Sequence, residues 1–298
     1  MKTNVILTLL LGTVFTACEK NATISIISGV PEEIANVEKD THDLVFEGFV
    51  DDDAITRTTL NSEGSNLYSL QWERGDAISI YDGNRTAIYS TSNSYTTNAT
   101  FKKVDGNLNE SASSYLAFYP SSITKDNQVL SSTQRYVSND VESFPMMAKS
   151  SNKQLYFKSL CGIIRINLKK AEDTDMKVSK ISVYDSSLGM SGRFSVNSDN
   201  AAVVSGTNGV VLECDSPVNL YSSSATAFNI IVPQGNYSSF KIKIVDSSGR
   251  EINLGANSVV KVTRGTITNI SINLSSNSFD SNLETITVTD SNVNFTSI

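Results

Sequence analysis

The chain has a single histidine, His42, in 298 residues. One imidazole cannot serve as base, orienter and ligand at once, so most nucleophilic schemes are excluded. Three cysteines are too few for a dense disulfide framework or a Cys-only zinc site. No CxxC pair occurs, so metal and redox readings have no anchor. Charged residues make up only 18% of the chain, 24 basic against 31 acidic, for a net charge of -7. A nucleic-acid binder needs a basic footprint to displace counterions, and none is present. There is no Gly-x-Ser-x-Gly elbow to raise a serine nucleophile. Asp51-Asp52-Asp53 lacks the spaced ligands and closing glutamate of a calcium loop and reads as a solvated acidic loop. Asp76, beside Gly75, has no visible partner carboxylate and reads as a turn residue at a strand start. The inventory points away from an enzyme, with no cofactor and no metal.

Small polar residues are abundant instead: 45 Ser, 26 Thr and 28 Asn. Among them, 11 Tyr, 12 Phe and many Val and Ile are spread evenly, enough for a core. Apolar residues recur with period two. Phe240, Ile242 and Ile244 alternate with Lys241 and Lys243. Ile164, Ile166 and Leu168 alternate with Arg165, Asn167 and Lys169. Ile181 and Val183 alternate with Ser182 and Tyr184, and Ile270, Ile272 and Leu274 with Ser271 and Asn273. Such strands bury one face and wet the other, as in antiparallel sheets. Turn signals separate them at Asp82-Gly83-Asn84, Asp105-Gly106-Asn107, Gly206 to Gly209 and Ser247-Ser248-Gly249. The one helical window is Pro31 to Lys39, about two turns long. The fold class is therefore all-β, and the length suits two sandwiches better than one. A polar stretch from Lys149 to Lys153 marks the boundary, giving domains 18–150 and 151–298.

The N-terminus has the layout of an export signal. Met1-Lys2 is basic, Val5 to Val14 is apolar, and Phe15-Thr16-Ala17 leads to Cys18. The apolar run is too short to span a bilayer comfortably. The small residues ending on cysteine resemble a bacterial lipobox, with residues 1–17 removed and Cys18 lipidated. The alternative is an ordinary secretory signal cut at Ala17. Multiple acyl chains on one residue would anchor the protein stably to a membrane. Cys161 and Cys214 then remain, either paired or as two buried thiols, and the second reading is preferred.

Several motifs stand in a telling order. They are Leu44 to Val50, then Thr56-Arg57-Thr58-Thr59, Trp72 to Ile78, Tyr115 to Pro120, Phe144 to Ala148, and Leu155 to Ile166. With the lipobox in front, the set resembles the fimbrillin-like (Mfa-like) lipoproteins of Bacteroidales, relatives of the fimbrial pilins, over nearly the whole chain. The resemblance implies two tandem transthyretin-like β-sandwich domains and export to the outer membrane surface. It implies a structural or tip subunit of a pilus, serving cell adhesion, with other pilin subunits as partners and a surface receptor. It implies that a trypsin-like protease cuts after an arginine, that the first strand leaves, and that a neighbour's C-terminal strand fills the groove.

Carried onto this chain, Cys18 matches the lipidated cysteine and Arg57 is the candidate processing site. The alternative for Arg57 is an ordinary solvent-facing residue of a threonine-rich strand. Arg74 lies past the Trp72 strand, and Lys39 would suit a less selective protease. After the polar stretch Ser275 to Ser281, Ile286 and Val288 alternate with Thr285, Thr287 and Thr289, and Val293 and Phe295 follow in step. This tail suits a donor strand or the last strand of the second domain. The rival function is a monomeric surface lipoprotein that binds glycan or a host ligand. Tyr81, Tyr89, Tyr95 and Tyr237 could serve it as sugar platforms, although tyrosines in strands commonly pack into sheets.

Overall fold

The computed structural model describes residues 44–50, 61–62, 68–172, 174–275, 279, 286–287 and 294–297. All lie in one compact unit, His42–Ile298. The strands expected around 164–168, 181–184, 240–244 and 270–274 form, and no α-helix occurs among the described residues. The window Pro31 to Lys39 lies outside them, as do Asp51 to Asp53 and His42.

The first sheet opens with β1 (Phe46–Val50). The two-residue strands β2 (Asn61–Ser62) and β3 (Tyr68–Ser69) pair with each other. β4 (Ala77–Tyr81), β5 (Thr86–Thr91) and β6 (Asn98–Asp105) form an antiparallel meander. Its first turn places Gly83 at φ 100, a backbone conformation that glycine adopts without strain. β7 (Tyr115–Tyr119) returns beside β4. Three short strands, β8 (Val129–Leu130), β9 (Thr133–Val137) and β10 (Asp140–Val141), leave this sheet. The hairpin of β11 (Met146–Ser150) and β12 (Gln154–Ser159) completes it. The order is β1-β12-β11-β7-β4-β5-β6, closed into a barrel by pairing of β1 with β6. Lys149 to Lys153 runs from the end of β11 into the β11–β12 turn, and buried residues pack in the first core as far as Ile163, with Ile164 the next in the second.

The chain continues through β13 (Cys161–Lys170), β14 (Lys177–Tyr184), β15 (Gly192–Val196), β16 (Ala202–Val204) and β17 (Gly209–Asn219). β18 (Thr226–Pro233), β19 (Gly235–Tyr237), β20 (Lys241–Asp246) and β21 (Glu251–Ala256) follow. β22 (Val260–Val262) and β23 (Ile267–Leu274) lead to the tail strands β24 (Ile286–Thr287) and β25 (Asn294–Ser297). An eight-stranded sheet runs β10-β9-β17-β14-β20-β21-β25-β24, and a three-stranded sheet runs β18-β13-β23. Their apolar faces share the second core, with Ile164, Ile166, Ile181, Ile242 and Ile270 among its buried residues.

The sheets are mixed rather than purely antiparallel. β1 lies parallel to β12, β13 to β23, and β17 to β9. In each case a long connection brings the partner alongside. β13 also departs from a half-wet strand: Arg165 is buried, and its Nε donates 2.8 Å to Asn229 Oδ1. Central strands covered on both faces bury the polar set of the alternation too, and such a polar side chain must find a partner.

Candidate functional site

The strand that closes the barrel is short and paired on both edges. β1 runs parallel to β12, with Phe49 opposite Tyr156 and Val50 opposite Phe157. On its other edge it runs antiparallel to β6, with Phe46 opposite Phe101 and Gly48 opposite Ala99. Glu47 N donates 2.9 Å to Lys153 O, and Val50 N donates 3.0 Å to Thr97 O. A third tie comes from a side chain, since Trp72 Nε1 donates 3.1 Å to Gly48 O.

The inward face of this segment is Leu44, Phe46 and Gly48, with Val50 packed at its end. Phe46 meets Tyr89 and Tyr115 edge to face, at centroid distances of 5.1 and 4.9 Å. Burying a phenylalanine or leucine contributes roughly 1.5–3 kcal/mol each. Gly48 leaves room for a ring: a Cβ there would sit 2.6 Å from Phe101 Cε2. On the outer face Phe49 stacks on Tyr156 at 4.9 Å and 15°. With β1 absent, β6 and β12 would each present a row of unpaired backbone groups around an aromatic groove. Such a groove accepts an extended segment by strand addition, with alternate side chains filling pockets.

Of the sequence candidates, Cys18, Arg57, Val288 and Val293 lie outside the described residues. Arg57 falls in the segment 51–60 between β1 and β2. Ile286 and Phe295 sit opposite each other in the β24–β25 pair. β25 in turn pairs with β21, Ala256 opposite Phe295 and Leu254 opposite Ser297, and neither tail strand is paired with the barrel. Gly48 and Trp72 are the site residues that sequence reasoning did not pick out. Their signal was a glycine on the inward side of the Leu44, Phe46, Val50 alternation.

The other candidates have packing roles. Asp76 accepts from Glu73 N at 2.7 Å and Tyr119 OH at 2.9 Å, pinning the turn before β4. Burial, with Asp76 beside it, holds the Tyr119 phenol well above its ordinary pKa. Tyr89 and Tyr237 are buried, Tyr81 is half-buried, and Tyr95 is exposed. Cys161 and Cys214 are free thiols, on β13 and β17. A cavity of about 150 Å³ opens near Pro120 and Gln134. Gln134 there clasps the Ile231 backbone both ways, at 2.7 and 2.9 Å, joining β9 to β18. Among the described residues no group of three His, Cys, Asp or Glu could hold a metal ion.

No protein-family model and no curated protein matches this chain. Solved structures do. A candidate cell adhesion protein from Bacteroides ovatus matches with TM-score 0.54 and 12% identity, over 84% of this chain and 97% of that one. A candidate cell adhesion protein from Bacteroides uniformis matches with TM-score 0.49 and 16% identity, over 86% and 97%. The tip fimbrial protein Mfa3 from Porphyromonas gingivalis matches with TM-score 0.32 and 10% identity, over 85% and 99%. The Bacteroides ovatus likeness identifies a shared fold.

Proposed function

We propose that this chain is a fimbrillin-like surface lipoprotein, a structural or tip subunit of a fimbrium that serves cell adhesion. In this reading Cys18 anchors it to the outer membrane, and a trypsin-like protease cuts after Arg57. β1 then leaves, and an extended strand of another subunit takes its place. Two transthyretin-like domains in tandem belong to the same reading. The observation that carries it is β1 itself. A five-residue strand holds both edges of a closed barrel and is followed by the segment bearing Arg57. The fold shared with the Bacteroides ovatus protein agrees with it.

The tail has two roles open within this reading. As a donor, Ile286, Val288, Val293 and Phe295 would fill a neighbour's groove, and β25 would have to leave β21. The pairing of β25 with β21 of its own chain favours an acceptor that does not donate, hence an end position in the filament.

Limited trypsin digestion tests the proposal, followed by intact mass and size-exclusion chromatography. The expected result is one early cut after Arg57 and loss of β1, with Arg57→Gln blocking both; if the tail donates, a ladder of oligomers then grows slowly. A chain lacking residues 276–298 separates the two roles of the tail: a ladder formed by the full chain and not by this one makes the tail the donor, and no ladder from either leaves an acceptor at a filament end. Resistance at Arg57 with a permanent monomer would overturn the reading.

A further inference from the structure

A groove of about 430 Å³ crosses the solvent face of the eight-stranded sheet. Strand register sets its floor. In one row across the sheet Gly209 stands opposite Tyr184, Tyr184 opposite Lys241, and Lys241 opposite Gly255. The adjacent pair Tyr184 and Lys241 therefore has a glycine at each of its outer sides. The Tyr184 ring leans over Gly209, its Cδ2 3.5 Å from where a Cβ would be, and the residue is 44% exposed. This leaves an aromatic side chain open to solvent beside a lysine.

The next row adds Lys243 opposite Ser182, and the row beyond it places Lys180 opposite Glu213. Lys243 is held by Glu251 at 2.8 Å. Neither Lys180 nor Lys241 has an ion-pair partner among the described residues. Three lysines on one sheet face are notable in a chain whose net charge is -7. The carboxylates, Glu213 and Glu251, lie at the end of the groove away from Tyr184 and Lys241. The open end thus combines a flat apolar ring with the cation of Lys241, with Lys243 one row away.

We infer that this face binds an acidic polysaccharide, one sugar ring stacking on Tyr184 while carboxylate or sulfate groups meet Lys241, Lys243 and Lys180. A pyranose presents a face of C–H groups that packs on an aromatic ring, and the ring's negative face attracts those positively polarised hydrogens. The lysines supply charge-assisted hydrogen bonds to the anionic groups. A neutral polysaccharide leaves the lysines unused, and an acidic peptide has no sugar ring for Tyr184. The chain's overall negative charge disfavours polyanions in general, so a polymer must use both parts to bind. This inference goes beyond the assembly reading and uses no residue of β1 or the tail, so either can fail alone.

The test is titration calorimetry of the full chain against chondroitin sulfate, dextran and poly-glutamate. Chondroitin sulfate is expected to bind, more weakly as salt rises, and the other two not. Tyr184→Ala and the Lys241→Gln, Lys243→Gln pair are each expected to weaken binding on the order of tenfold, about 1.4 kcal/mol. All three positions lie on the solvent face, and unchanged circular dichroism melting would verify folding. Equal binding to poly-glutamate, no effect of Tyr184→Ala, equal binding of dextran, or no binding of chondroitin sulfate would each overturn the inference.

Discussion

The indole Nε1 of Trp72 donates a 3.1 Å hydrogen bond to the carbonyl of Gly48. Trp72 is the one tryptophan of the chain, is fully buried, and meets Phe101, Tyr119 and Phe157 edge to face. It ties β1 to the barrel through a side chain rather than the ladder.

Trp72 should therefore report whether β1 is in place. Release of β1 exposes the indole, and its emission should shift to the red. Replacement by Phe keeps a ring but leaves the buried Gly48 carbonyl without this donor, which costs about 1–3 kcal/mol. Urea unfolding followed by circular dichroism measures the loss, and an unchanged midpoint would contradict it.

Gly48→Ala should overpack the groove, because the new Cβ meets Phe101 Cε2 at 2.6 Å. Overpacking costs about 1–3 kcal/mol. Phe101→Leu in the Gly48→Ala background should recover part of that loss while destabilising the parent chain. Non-additivity in this double-mutant cycle is the readout, and simple addition of the two effects would count against the contact.

Acid should unfold the protein through three aspartates. Burial by itself raises the Asp185 carboxyl, but donors from Ser187, Ser239 and Leu188 outweigh it and hold the pKa below its usual value. Asp82 and Asp246 follow the same pattern, with burial opposed by backbone donors from Asn109 and Arg250 among others. A carboxyl whose folded pKa is depressed adds stability above its unfolded pKa, and that stability is lost as pH falls through the folded pKa. The unfolded value is about 3.9, so stability should hold from neutral pH down to roughly 4 and fall below it. Asp185→Asn should be less stable at pH 7 and lose less on acidification. Urea midpoints at pH 7, 4 and 3 would expose a mistake if both chains fell in parallel.

Both interior thiols should be slow to react. Burial pushes Cys161 far up, while burial and nearby Asp215 push Cys214 up to about 11, so neither is a thiolate at neutral pH. In a Cys18→Ala chain, a colorimetric thiol reagent should label no residue quickly when folded and two in denaturant. Half-buried Cys214 should yield first. Recovery of no thiol in denaturant would mean the two are joined.

The strands were legible because one face of each carries its apolar set. Phe240, Ile242 and Ile244 are buried, and Lys241 and Lys243 are not fully covered. The glycine turns were legible for a similar local reason, as at Gly83, Gly106 and Gly249, all with positive φ. Partnership was not legible. Which strands become neighbours depends on contacts far apart in sequence, such as Glu47 with Gln154. Hence the parallel pairs, and the choice of β21 as partner of the tail, emerged only from the structure. Arg165 reads as the wet side of β13 because nothing local foretells a second covering layer. The groove at Tyr184 was hidden for the same reason, since Gly209 and Gly255 flank it from other strands.

Ile163 and Ile164 are chain neighbours, yet one packs into the barrel core and the other into the core between the two sheets. Ile231 and Ile230 divide in the same way on β18, opposite them in the ladder. The two hydrophobic interiors thus share a party wall. Melting either one removes support from the far side of that wall, so heat should dismantle both together. Calorimetry would then count one cooperative unit where an inventory of cores counts two.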